Sequence, residues 1–390
     1  MRLLIITDFS EQFPYRLLKG IMRYAQDTGE PWVVCKMPPS FLRQQGVKKV
    51  VEMAQDWEAD VVIGQFEPGD NIRLFQQKGI VVLAQDYIYR FRDIPNITAD
   101  YRKMGRMAAE RFLSRGFHDF AFFGNNGMCW SDERCDGFRE RLEEAGMQGH
   151  IHIYDRRQRV SNLWFYKQEW LKEWLFSLPR PVAIMACDDN QASILVAACN
   201  ALNIRIPSDM AILGVDNDEI VCNMTDPAIS SIDVDIERGG YEVARQVTEM
   251  VKNHRFQAED IVLQPLGIVT RNSSNVIATS DTAVQLALKY INDNIDHKLL
   301  VTDVLDQVPM SRRLLEQRFH KATGTTIYQY IISLRIDRFA QLLLTTNDTV
   351  ANICARMDEP DPKTLSRRFQ AVKGCTPQAY RKKYLRKLGV

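Results

Sequence analysis

Four aspartates stand where an α/β sheet would place ligand-contacting groups. Asp8, Asp188 and Asp216 each follow a short apolar stretch directly or after one residue, and Asp189 adjoins Asp188. If those stretches are parallel strands, the carboxylates lie at the carboxyl ends, where open α/β sheets hold their ligands. Carboxylates and arginine forks suit a polyhydroxyl compound, which presents alternating donors and acceptors. A flat aromatic face packs against the C–H groups of such a compound. Catalysis is not expected. No Ser-His-Asp or Cys-His arrangement stands out, and there is no G-x-G-x-x-G or Walker phosphate loop. The eight cysteines form no C-x-x-C pair and have no histidine cluster beside them. No metal or cofactor is therefore expected, and the cysteines read as small apolar residues of a reduced cytosolic protein.

A second set lies near the C-terminus. Arg313, Glu316 and Gln317 fall at i, i+3 and i+4 on one helical face, while Leu315 and Phe319 point the other way. Lys363 and Arg367 repeat this spacing in front of Leu365 and Phe369. A helix apolar on one side and rich in donors on the other suits the DNA major groove, with these five residues as base readers. Ser311 and Arg312 open the first such helix, where free backbone amides favour a phosphate. A solvated basic face is the alternative. The charge is asymmetric in the same sense. Residues 283–390 hold 18 Lys+Arg against 10 Asp+Glu, an excess of eight positive charges. The first 282 residues hold the remaining 32 and 39, an excess of seven negative charges. Only the C-terminal part is suited to a polyanion.

The elements that must position these groups follow from periodicity. A chain of 390 residues is too long for one core, so two or three domains are expected. Strand candidates at Leu3–Thr7, Trp32–Lys36, Val61–Gly64, Val81–Ala84, Phe120–Gly124, Ile151–Tyr154, Ala183–Ala186 and Met210–Val215 alternate with helical patterns. Those patterns are Tyr15–Thr28, Gly46–Glu58, Lys103–Arg115, Arg134–Ala145, Lys167–Ser177 and Gln191–Leu202. Such alternation predicts doubly wound parallel sheets, and strands apolar throughout predict sheets covered on both faces. Thr270–Thr282 reads as a polar linker. Beyond it the strand patterns stop and seven helices are expected, near 283–294, 301–307, 311–322, 326–346, 349–356, 362–372 and 376–386. The expected layout is a sensing domain over 1–272, a linker over 273–282, and a helical domain over 283–390 with helix-turn-helix units near 301–321 and 350–372. No apolar run approaches the ~20 residues of a membrane span, and the opening apolar run is too short for a signal peptide. A cytoplasmic location without membrane contact is the expectation.

The helical part contains a repeat at an offset of 50. Leu315, Arg318, Phe319, Gly324, Thr326 and Tyr330 match Leu365, Arg368, Phe369, Gly374, Thr376 and Tyr380. The helix between the units would span ~30 Å, near the ~34 Å between successive major grooves on one DNA face. This segment resembles the AraC-type DNA-binding domain in its S-x-x-x-L-x-x-R-F pattern at Ser311–Phe319, in Arg335, Leu342 and Leu343 at the spacing of an R-x-x-x-A-x-x-L-L pattern, and in its T-P-x-x-Y-R ending at Thr376–Arg381. It departs from that pattern twice. Pro309 replaces the usual glycine of the first turn, and Asp358-Glu359 replaces the usual Gly-Phe of the second. Aspartate tolerates the left-handed backbone better than most residues, so the second turn is expected to survive.

The N-terminal part resembles the periplasmic-binding-protein-like effector domain of the lac-repressor family. The resemblance rests on Thr98-Ala-Asp100 followed by Gly105, the R-x-x-G-F signature at Arg134–Phe138, the Cys187-Asp188 pair, and Gly214-Val-Asp216-Asn217. It implies an α/β fold of two Rossmann-like lobes joined by about three crossings, with the segment near Ile232–Val251 returning to the first lobe, followed by an all-α domain. It also implies that Arg134, Asp188, Asp216, Asp100 and Arg16 contact a ligand held between the lobes, with Trp130 as the stacking residue. Asp100, Asp188 and Asp216 are equally able to cap the helices that follow them, and Trp130 to sit in the core. The order of the two domains is similar to that of the xylose operon regulators. That likeness implies a homodimeric activator of sugar-catabolism genes, controlled by xylose or a related sugar, with double-stranded DNA and RNA polymerase as partners.

Overall fold

The computed structural model describes residues 1–125, 127–154, 169–256, 258–276, 278–279, 281–346, 348–359 and 361–388. Twelve strands occur among them: β1 Arg2–Ile6, β2 Val33–Met37, β3 Val61–Gly64, β4 Val81–Gln85, β5 Asn96–Ala99, β6 Phe120–Phe123, β7 Ile151–Ile153, β8 Val182–Ala186, β9 Met210–Val215, β10 Ser230–Val234, β11 Ile261–Leu263 and β12 Pro265–Val269. They form two six-stranded sheets with equivalent orders, β2-β1-β3-β4-β5-β11 and β7-β6-β8-β9-β10-β12. All pairings are parallel except that of β10 with β12. The inner strands β3, β4, β6, β8 and β9 are buried along their whole length, as the apolar runs require of sheets covered on both faces.

The chain crosses between the lobes three times, at Asp100, Asp235 and Gln264. These crossings are tied together. The Asp100 amide donates to Leu263 O at 3.0 Å, and the Asp235 amide donates to Gln264 O at 3.0 Å. After β10 completes the order of the second sheet up to its antiparallel edge, the helix Ile236–Lys252 returns to the first lobe, as the sequence implies. Strand β11 extends the first sheet and β12 the second. The sequence reading missed β5, β10, β11 and β12. Strands β5 and β10 carry Asn96, Thr98, Ser230 and Ser231, polar residues that break the apolar signal yet are buried. Their side chains find partners both near and far along the chain. The Asn96 amide donates to Phe91 O at 2.7 Å, and Ser231 Oγ donates to Asp189 Oδ1 at 2.6 Å.

Glycine pairs set the helix layers. A Cβ on Gly105 would lie 2.1 Å from Arg134 O, and one on Gly137 would lie 2.0 Å from Arg102 O. The helices Tyr101–Ser114 and Cys129–Glu144 therefore cross in backbone contact. Gly20 and Gly240 play the same part for Gln12–Thr28 and Ile236–Lys252 in the first lobe. The helix expected from Gly46 starts earlier, at Pro39, and breaks at Gly46, where φ is 75°. Of the helix expected at Lys167–Ser177, Glu169–Ser177 is described, and Lys167 and Gln168 lie outside the described residues.

The segment read as a linker is not free over its first part. Arg271, Ser273 and Ser274 are buried. The Arg271 guanidinium donates to Ile229 O and Asn217 Oδ1 at 2.8 and 2.9 Å, and Ser273 Oγ donates to Ile212 O at 2.6 Å. Short polar side chains mimic a strand's hydrogen bonds here, so a composition that signals a loop is laced to β9 and to the residues around β10. Beyond it the seven expected helices are present: Thr282–Asp293, Val301–Leu305, Arg312–Thr323, Ile327–Thr345, Val350–Arg356, Pro362–Lys373 and Pro377–Leu388. The long helix Ile327–Thr345 begins with a Thr326/Gln329 capping box and serves two cores. Ile327, Tyr330, Ile331 and Leu334 pack with Leu315 and Phe319. Ile336, Phe339, Leu342 and Leu343 pack with Leu365 and Phe369. The repeat is thus structural. Phe319 meets Tyr330 edge-on at 5.5 Å, and Phe369 meets Tyr380 at 5.2 Å. Gly324 and Gly374 end their helices at φ 71° and 73°.

Candidate functional site

Between the lobes lies a cavity of about 530 Å³. The first lobe contributes Asp8, Glu11, Phe13, Gln65, Gln85 and Asp86, mostly from the carboxyl ends of β1, β3 and β4. The second contributes Asn125, Trp130, Arg134, Asp188 and Asp216 from the ends of β6, β8 and β9 and from the helix Cys129–Glu144. The strand-end rule therefore holds in both sheets at once.

Arg134 is the centre of the second-lobe wall. It is 4% exposed. Its guanidinium donates to Cys187 O and, at 3.1 Å, to Asp216 Oδ1. Tyr101 and Trp130 flank it with ring centres at 5.2 and 5.3 Å. Two aromatic faces and a carboxylate hold the charge in place. The Gly105–Gly137 contact brings the helix of Arg134 against that of Tyr101, which is the physical content of the R-x-x-G-F signature. Asp216 and Asn217 have φ of 95° and 49°, a backbone that non-glycine residues seldom adopt. The turn is held by a hydrogen bond that the Asp216 amide donates to Ile232 O at 2.9 Å and by Arg16, which donates to Asp216 O at 2.7 Å. The helix Glu219–Asn223 is capped by Asp218, which leaves the Asp216 carboxylate to Arg134 and the cavity. Asp188 both caps and lines: its Oδ1 accepts from the Gln191 amide at 2.7 Å while the residue borders the cavity. Burial raises its carboxyl above the ordinary carboxylate range, and Asp216 adds to the effect.

The structure brings Trp130, Arg134, Asp188 and Asp216 together at one wall. Arg16 stands behind that wall, bonded to Asp216 O, Asp233 Oδ1 and Val234 O rather than lining the cavity. Asp100 lies outside it. Its carboxylate accepts from the Lys103 amide at 3.1 Å as a helix cap, at the first crossing between the lobes. The sequence reading missed Glu11, Gln85 and Asp86 as lining residues. Gln85 and Asp86 end and follow β4, so the rule that found Asp188 and Asp216 points to them as well. Glu11 carries no motif. The walls around it, and the charges of Asp188, Asp216 and Asp8, push its carboxyl up to about 7 against the pull of Arg134. Three polar atoms in the wall are buried without a hydrogen-bond partner: Gln85 Oε1, Asp86 Oδ1 and Arg134 Nε. Asp86 is also gripped from the side by Arg90, which donates to its Oδ2 at 2.8 Å and reaches Glu133 of the other lobe at 3.1 Å.

In the helical domain Ser311, Arg312, Arg313 and Gln317 are exposed on the helix Arg312–Thr323. Glu316 is half-buried and accepts from Arg312 Nε at 2.9 Å, so these two brace each other along the helix side. Lys363 and Arg367 are exposed on Pro362–Lys373, which Asp361 caps through the Lys363 amide. Arg368 donates to Tyr328 Oη at 3.1 Å and so braces the second unit against the long helix. At the second turn Asp358 adopts the left-handed backbone with φ 50°, as expected of a residue in the usual glycine position.

A model of a periplasmic binding protein-like domain matches residues 109–274, and a model of a helix-turn-helix domain matches residues 304–383. The chain is 26% identical to the xylose operon regulatory protein of Haemophilus influenzae over 97% of its own length and 98% of that protein. It is 23% identical to the protein of the same name from Escherichia coli K12, over 97% and 96%. Among solved structures, that of a xylose-binding transcription activator superposes with a TM-score of 0.66 at 22% identity, covering 98% of this chain and 97% of the other. A cellobiose complex of the regulator CelR superposes with a TM-score of 0.57 at 18% identity, covering 70% and 84%.

Proposed function

This chain is a DNA-binding transcription regulator, not an enzyme, in which a periplasmic-binding-protein-like sensor precedes a helix-turn-helix domain of AraC type, and we propose that its effector is a sugar held in the cavity between the lobes. The observation that carries this reading is the lining of the cavity, with Asp8, Gln85 and Asp86 from one lobe facing Arg134, Asp188 and Asp216 from the other. Carboxylates, an amide and a guanidinium complement a compound with hydroxyl groups, each of which both donates and accepts. Trp130 and Phe13 supply apolar surface for the sugar's C–H groups. Xylose, the sugar named in the relatives, is the first candidate, and a pentose fits a cavity of about 530 Å³ with room for water.

In this reading residues 1–272 sense and residues 283–390 bind DNA, with both recognition helices on one duplex and activation of sugar-catabolism genes as the output. Asp100, at a lobe crossing, and Arg16, behind Asp216, act on lobe closure and on the Asp216 turn. A homodimer would present four recognition helices to paired sites. RNA polymerase is the partner an activator requires.

The test is a thermal-shift screen of pentoses and hexoses on the full chain. A ligand at a hundred times its Kd adds about 2.7 kcal/mol of stability, a readable rise in Tm. The reading requires at least one sugar to raise Tm, and to lose that effect in Gln85→Leu. No response to any sugar overturns it.

A further inference from the structure

The two helix-turn-helix units have separate cores, and the long helix Ile327–Thr345 is the element common to both. A single helix leaves the angle between two units soft unless something braces it. A polar seam does so here. Arg335, 5% exposed, sits on the long helix where one core gives way to the other. On one side its guanidinium donates to His297 O and, at 3.3 Å, to Ile295 O, in the segment that leads into the first unit. On the other side it donates to Met357 O at 2.7 Å and to Glu359 Oε2 at 3.3 Å, in the turn of the second unit. His297 Nδ1 pairs with Asp358 Oδ2 at 2.9 Å. Arg338, one turn further along, forks onto Asp296 at 2.6 and 2.8 Å. The residues that close this seam from the second unit are Asp358 and Glu359, the two that depart from the usual Gly-Phe.

We propose that Asp358 and Glu359 are positioning residues for DNA reading: through His297 and Arg335 they fix the second recognition helix relative to the first, and so set the spacing at which this protein accepts its two subsites. An apolar residue at 359 would anchor the turn within the second unit alone. A carboxylate there ties the turn across to the long helix and, through the shared guanidinium, to the first unit. The buried Arg335 makes the tie directional, because a fork satisfied on both sides by carbonyls and a carboxylate tolerates little rotation. The inference rests on both units engaging one duplex.

The experiment uses the full chain and a duplex selected by the wild-type protein from a random library. Derivatives carry one base pair inserted or deleted between the two subsites, and one carries the first subsite alone. One base pair displaces the second site by about 3.4 Å and about 35°. The wild type is expected to lose at least about tenfold in affinity for a one-base-pair change, the size of one or two mispositioned base contacts. Glu359→Gln should cut that penalty to threefold or less on the same duplexes, with affinity for the single-subsite duplex within about twofold of wild type. Asp358→Asn keeps a residue that tolerates the left-handed turn and removes only the charge on the His297 pair. It should relax the spacing in the same direction and serves alone if Glu359→Gln does not fold. Variants that keep the wild-type spacing penalty, or that lose affinity equally on every duplex including the single-subsite one, overturn the proposal. A wild type indifferent to spacing overturns instead the reading that both units bind together.

Discussion

Replacing Arg134 with alanine should weaken effector binding by about 10–150-fold. The residue is 4% exposed and lines the cavity, with one donor at 3.1 Å from Asp216 Oδ1 and a second on Cys187 O. A hydrogen bond from a charged group to a ligand is worth about 1.5–3 kcal/mol, and each 1.4 kcal/mol is tenfold in affinity. The substitution also removes the cation between Asp216, Asp188 and Glu11, so the fall should lie in the upper part of that range. Arg134→Lys keeps the charge without the fork and should fall in between. Isothermal titration with the sugar identified by thermal shift gives the affinity, and DNA binding without sugar gives the control. The recognition helices share no contact with Arg134, so basal DNA affinity should stay within about twofold of wild type. A folded Arg134→Ala protein that binds the sugar as wild type does refutes the placement of the ligand against this wall.

Gly105→Ala forces a Cβ to within 2.1 Å of Arg134 O, and overpacking of this kind costs about 1–3 kcal/mol; urea unfolding should show the loss together with weaker sugar binding. Glu11 titrates at about 7 in the folded sensor against an ordinary 4.5, so the folded state binds the extra proton between those values. Its contribution to stability is present at low pH and fades as pH rises from 4.5 to about 7, and Glu11→Gln should remove that part of the fall in Tm and leave the profile above pH 7.5 unchanged. Arg313→Ala should relax preference at one base pair by about 1–3 kcal/mol, whereas Lys382→Ala, at an exposed position on the last helix Pro377–Leu388, should weaken all sequences alike and reduce the salt slope by about one. Competition binding across mutated duplexes at two salt concentrations separates these two outcomes.

Much of the fold was legible because its signals are local and periodic. The apolar runs of β3, β4, β6, β8 and β9 and the offset-50 repeat could be read without tertiary knowledge. Strands β5 and β10 could not, because their polar residues are buried only through partners far along the chain, such as Asp260 for Asn96 and Asp189 for Ser231. The same reason hid the packing of Arg271 and Ser273. At the site, Arg134 and Asp216 were visible through their motifs and Asp188 through its strand. Glu11 was not, because nothing in Glu11-Gln-Phe-Pro14 announces that two other strand ends bring Asp188 and Asp216 to face it. Asp100 shows the converse: a motif residue whose side chain serves a helix cap at a lobe crossing.

The central claim is that a sugar in the sensor changes how the helical domain holds DNA. Its most direct test is the affinity of the full chain for its selected duplex, by fluorescence anisotropy at fixed salt, with and without saturating sugar. Saturating sugar should change that affinity by at least about fivefold, the coupling expected of linked sites, and Arg134→Ala should abolish the change. A sugar that binds and raises Tm yet leaves DNA affinity unmoved, or a panel of sugars none of which binds, would contradict it.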